Sequence, residues 1–146
     1  MVRHARERQN GHRRWPKRTR GGFETLEFAL ILPVLLALGL GSVEFSRALS
    51  VQQVLTNAAR EGAREAILPA STVSEVEDVI AENLKIGRVD ATVTDVTITP
   101  ASLNGLKSGT KITVDVRVPY SAVSWLPVPR YLGNAILGSG CTMRHE

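Results

Sequence analysis

The sequence predicts an α+β protein: one long N-terminal helix, first apolar and then amphipathic, packed on a small antiparallel sheet. Three observations carry this. Residues 28–43 form an uncharged apolar run. A three- and four-residue apolar period follows it to about residue 67. Beyond residue 88 the period changes to two, the mark of half-buried strands.

Charge divides the chain before any element is assigned. Eight of the 18 Lys/Arg and one of the 14 Asp/Glu fall in residues 1–22, giving that stretch a net charge of +7. Ten basic and thirteen acidic residues remain, so residues 23–146 carry −3. The basic character belongs to a leader with almost nothing apolar to bury, expected to be unstructured alone. A nucleic-acid-binding domain is therefore not expected. The leader's charge would suit a polyanion, but a membrane topology signal requires the same cluster.

In the run 28–43 only Ser42 has a polar side chain. Residues 26–45 make about 30 Å of helix at 1.5 Å per residue, enough for a bilayer if Glu27 and Glu44 lie near its edges. A buried core helix would need apolar cover on every side, which the rest of this chain is too small to provide. A cleaved secretory signal is the competing reading. Its site should follow the apolar core, where Gly41-Ser42-Val43-Glu44-Phe45 places an unfavourable Glu44. The expected organisation is a cytoplasmic leader at 1–22, a transmembrane helix at 23–48 and an extracytoplasmic domain at 49–146, the positive flank lying inside. This amounts to a single-pass membrane protein with its N-terminus inside.

Past the span, Val51, Leu55, Ala58, Gly62 and Ala66 recur on one side, with Val54, Ala59 and Ala63 beside them. The other side carries Gln52, Gln53, Thr56, Asn57, Arg60, Glu61, Arg64 and Glu65. This predicts a helix to about Ile67, ended by Pro69, whose small side chains admit close neighbours. A second helix is expected at 74–86, capped by Ser71, Thr72 or Ser74, with Val76, Val79, Ile80 and Leu84 inward and Gly87 ending it. Strands are expected at 89–98, with a bulge near Asp95 where the phase slips, and at 112–118. Residues 120–137 read as a loop, Gly138-Ser139-Gly140 as a turn, and 140–145 as a last short strand.

The chemistry-bearing motif is Arg18-Thr19-Arg20-Gly21-Gly22-Phe23-Glu24-Thr25-Leu26-Glu27-Phe28. A basic leader ends in Gly, an aromatic follows, a carboxylate stands five places after the Gly, and the apolar helix begins. This resembles the processing site of type IV pilin precursors, which implies a cut between Gly22 and Phe23 and places Glu27 fifth in the mature chain. A carboxylate inside a membrane helix is costly, about 2.5–3.5 kcal/mol for Asp at its centre, unless it finds a cation. The amine exposed on Phe23 of a neighbouring subunit would supply one. The plainer reading is that Glu27 marks the headgroup level.

Residues 23–33, the run Val43-Glu44-Phe45-Ser46-Arg47 and the run Asn57-Ala58-Ala59-Arg60-Glu61-Gly62-Ala63-Arg64 together resemble the TadE-like family, pseudopilins of tight-adherence (Flp) pilus systems. The resemblance covers residues 20–66. It implies a pilin-like fold and a role in assembling a Tad/Flp-type pilus or related secretion machine. The implied partners are a prepilin peptidase, other Tad pilus or pseudopilin subunits, inner-membrane platform proteins and the lipid bilayer. A membrane-anchored envelope or adhesion module that is not processed is the alternative.

Pro33 should kink the span. Ala29, Pro33, Ala37 and Gly41 fall four apart, which suits close helix contacts in lipid and equally matches ordinary membrane-helix composition. The sequence holds no nucleophile elbow, phosphate loop or zinc-binding His-Glu-x-x-His, and Cys141 is its single cysteine, so neither an enzyme nor a cofactor is expected. Asp90, Asp95 and Asp115 read as solvated strand positions.

Overall fold

The computed structural model describes residues 21–125 and 134–145. Its elements in chain order are α1 (Gly21–Ala66), α2 (Val73–Ile86), a 3-10 turn (Ala91–Val93), β1 (Asp95–Thr99), β2 (Lys111–Pro119), α3 (Tyr120–Val123) and β3 (Ile136–Arg144). The three strands form one antiparallel sheet in the order β1-β2-β3. The α+β expectation therefore holds. The chain divides into two compact units, Met1–Ala37 and Leu38–Glu146.

In the first unit the described part of α1 has no buried residue. Phe23, Leu26, Phe28, Leu30, Ile31, Leu32, Val34, Leu35 and Leu36 are all exposed. Pro33 lies inside α1 without ending it. Its missing N–H leaves the Ala29 carbonyl without the usual partner four residues on.

The second unit holds the core. Val51, Leu55, Ala58, Ala59, Ala63 and Ala66 of α1 are buried with Val76, Ile80 and Leu84 of α2 and Ile112, Val114, Val116 and Val118 of β2. β2 alternates strictly, and its other face carries Thr113, Asp115 and Arg117. Leu137, Cys141 and Met143 of β3 pack against the same core from the neighbouring strand. Cys141 is thus a half-buried core residue opposite Val114.

α2 starts one residue earlier than expected, and Thr72 is its N-cap. The Thr72 hydroxyl accepts from the Glu75 backbone N–H at 3.3 Å, while Glu75 accepts from the Thr72 N–H at 2.8 Å. These bonds favour the ionised Glu75 carboxylate, the backbone bond most, and lower its pKa.

Four expectations are corrected. Residues 89–93 are not strand. Asp90 Oδ1 accepts from the Thr92 backbone N–H at 2.9 Å and from its hydroxyl at 2.8 Å, and the chain turns into a 3-10 helix. Such local bonds compete with a sheet ladder. The phase slip near Asp95 is the junction of that turn with β1, and the β1–β2 register runs without a bulge from Asp95 opposite Arg117 to Thr99 opposite Thr113. Gly138-Ser139-Gly140 is not a turn but the interior of β3, with Gly138 opposite Arg117 and Gly140 opposite Asp115. A Cβ on Gly138 would stand 3.0 Å from Arg117 Cγ, and one on Gly140 would meet the Asp115 carboxylate. These glycines leave room for the two charged side chains. Of the expected loop 120–137, Tyr120–Val123 is a helical turn and Ile136 begins β3. Residues 126–133 lie outside the described set.

Two further glycines set how closely the helices approach. A Cβ on Gly62 of α1 would lie 2.7 Å from Ile80 Cδ1 and 3.5 Å from Val114 Cγ1. Gly87 caps α2 at φ −77°, where any residue fits, so its backbone conformation does not demand glycine. Contact does: a Cβ there would overlap both Val54 methyls and stand 3.0 Å from Val54 Cβ. Val54 is β-branched within a helix and holds essentially one rotamer, so it cannot swing aside. Gly87→Ala should therefore lower the thermal midpoint of the full-length protein in detergent. The overpacking cost, about 1–3 kcal/mol, outweighs the few tenths gained by restricting the unfolded chain. An unchanged or raised midpoint in circular dichroism melts would refute this close approach.

Candidate functional site

α1 carries the residues singled out by the sequence. It is the one helix, Gly22–Ala66, among the described residues that is long and apolar enough to cross a membrane, and none of its most apolar window is buried within the protein. The core helix of a soluble domain would be mostly covered, and this window is not.

Gly22 and Phe23 stand in the first turn of α1, and Phe23 is 75% exposed. Backbone N–H groups of a first turn lack intrahelical acceptors, and two adjacent glycines weaken it further. The Gly22–Phe23 peptide thus lies where the helix opens most readily. Glu27 follows one turn later and is exposed. Among the described residues its carboxylate has no hydrogen-bonding or ionic partner. Ala29, Pro33 and Ala37 are exposed at four-residue spacing in the first unit, and Gly41 is exposed in the second. A Cβ on Gly41 would meet nothing within 4 Å. Ser42, the polar side chain of the apolar run, donates to the Leu38 carbonyl at 2.8 Å, so its hydroxyl is satisfied inside the helix.

Sequence reasoning missed a cluster in the second unit, where α1 turns polar. The Tyr120 hydroxyl donates to Glu44 Oε1 at 2.9 Å. The Arg47 guanidinium lies over the Trp125 ring, 5.4 Å from its centroid. Gln52 donates through Nε2 to the Gly138 carbonyl of β3 at 2.7 Å. These contacts fasten the end of β2, the turn after it and β3 to one stretch of α1. The available signal was a Tyr and a Trp five residues apart, just after a strand and matched by charges just past the apolar run. Residues 120–137 as a whole read as loop, and that obscured it.

Desolvation, then the hydrogen bond to Glu44 and its negative charge, raise the Tyr120 pKa above the ordinary 10.0. A raised pKa in the folded state means a stabilising contribution present in full below the ordinary value and lost as pH climbs through the raised one. Alkaline titration of phenolate absorbance should show that Tyr120→Phe removes a component titrating above 10.0. Loss of a component at or below that value would contradict the Glu44 contact.

Among the described residues no three His, Cys, Asp or Glu side chains come together as a metal site. Compared with known proteins, the family model described as TadE-like protein matches residues 22–64. No curated protein and no solved structure matches the chain. The match to the TadE-like model falls on the greater part of the helix Gly22–Ala66, which is long and apolar enough to cross a membrane.

Proposed function

We propose that this is a membrane-anchored component of a Tad-type pilus machine, made as a precursor and processed in the manner of a pseudopilin. The observation that carries the reading is the TadE-like match over an exposed apolar helix that begins at Gly21-Gly22-Phe23. The leader stays in the cytoplasm because its charges are not carried across the bilayer, and residues beyond the span lie on the far side. A prepilin peptidase cuts after Gly22, where no side chain obstructs approach to the scissile carbonyl. The cut frees an amine on Phe23, and Glu27 accepts that cation between neighbouring helices. Other pilus or pseudopilin subunits and inner-membrane platform proteins are the partners on this reading.

The test is mass spectrometry of the protein from its native host. A mature chain beginning at Phe23 is expected. Gly22→Val should leave the precursor, about 22 residues heavier. Glu27→Ala should still insert, since removing a charge at the membrane edge eases insertion, and should lose co-purification with partner subunits. An intact Met1 start with an active peptidase present would overturn processing. A chain starting after residue 37 would indicate a secretory signal instead.

A further inference from the structure

We propose that the polar end of the apolar run, in the second unit, holds a phospholipid headgroup, with its phosphate on Arg47. The inference rests on the membrane-spanning reading of α1 and adds a specific ligand to it. The site is a cleft of about 460 Å³ lined by Ser42, Val43, Ser46, Arg47, Ser50 and Trp125.

Three observations point to that ligand. First, Arg47 Nε is fully covered and has no hydrogen-bond partner. Arg47 is also the one charged side chain among the described residues that line the cleft, so an anion there would meet its guanidinium. Second, the guanidinium lies over the Trp125 ring, 5.4 Å from its centroid, so the two side chains share one wall of the cleft. A planar fork of donors matches phosphate oxygens better than any neutral acceptor. Third, Trp125 is 72% exposed although tryptophan buries more apolar area than almost any side chain. Indole rings concentrate at the headgroup level of membranes, where one side is apolar and the other wet. The cleft continues directly from the lipid-facing Val43, and Ser46 and Ser50 offer hydroxyls one turn apart. An acyl chain on the apolar run and a phosphate at Arg47 belong to one molecule.

The test uses the full chain in vesicles of phosphatidylethanolamine and phosphatidylglycerol. Trp15→Phe leaves Trp125 as the sole tryptophan. Trp125 emission should be blue-shifted and quenched by lipids brominated high on the acyl chain. Native mass spectrometry after transfer to detergent should show retained phospholipid. Arg47→Gln should reduce retention about tenfold, the loss expected for charge-assisted hydrogen bonds, and Arg47→Lys should restore part of it. Inorganic phosphate without lipid should leave no adduct. Equal binding of free phosphate would make this a general anion site and overturn the proposal. So would water-like, unquenched emission, or retention unchanged in Arg47→Gln. A carbonate wash separates the two levels: the wild type and both Arg47 variants should stay in the membrane. Release of the wild type would sink the anchor itself, whereas lost specificity with the anchor intact would sink only the headgroup site.

Discussion

One constraint governs this molecule: a single helix has to satisfy two different surroundings along its length. The described part of α1 up to Ala37 has apolar side chains on every side and buries none of them. From Val51 onward the same helix buries a narrow stripe completely and presents charges elsewhere. Water cannot serve the first stretch. Nine exposed large apolar residues within fourteen positions would each forgo roughly 1.5–3 kcal/mol of burial. Lipid serves it without any packing partner, because there the backbone is satisfied by the helix itself.

The second stretch is built for close contact. Its stripe is mostly Ala and Gly, so the bulk of the core comes from the opposing elements, Ile80 and Leu84 of α2 and the β-branched residues of β2. Gly62 shows the trade. Glycine in a helix interior costs about 1 kcal/mol relative to alanine, yet its position is filled by Ile80 and flanked by Val114. Large side chains reach across to small ones, and the backbones come close enough to interlock. Gly87 against Val54 repeats the device at the end of α2.

Much of this was legible in sequence because it depends on periodicity. The apolar run, the small-residue stripe, the presence of α2 and the inward face of β2 all follow from spacing alone. The failures share a physical cause: each turned on contacts between residues distant in sequence, or on side chains bonding to their own backbone. Residues 89–93 alternate as a strand should, but two bonds to Asp90 divert them. Gly138 and Gly140 look like turn residues, yet they are the vacancies that admit Arg117 and Asp115 across the sheet. The Glu44, Arg47 and Gln52 contacts join α1 to residues 76, 78 and 86 positions away, beyond the reach of any local pattern. The proposed processing residues are the opposite case. Gly22, Phe23 and Glu27 stand out in sequence and, among the described residues, make no contact that would explain them.

That contrast bears on how the two carboxylates bordering the apolar run should be read. Glu44 has a partner within the chain, the Tyr120 hydroxyl, so its presence at a polar boundary is accounted for by the fold. Glu27 has none among the described residues, although it borders the same apolar run. A helix that needed only a boundary marker could use an uncharged polar side chain that bonds within its own turn, as Ser42 does with Leu38. A carboxylate there needs a cation, and on the proposed reading that cation comes from another molecule. The amine released on a processed neighbour is such a cation, one that comes into being only when the leader is cut. On this reading Glu27 ties assembly to processing, because an uncut subunit presents no Phe23 amine for it.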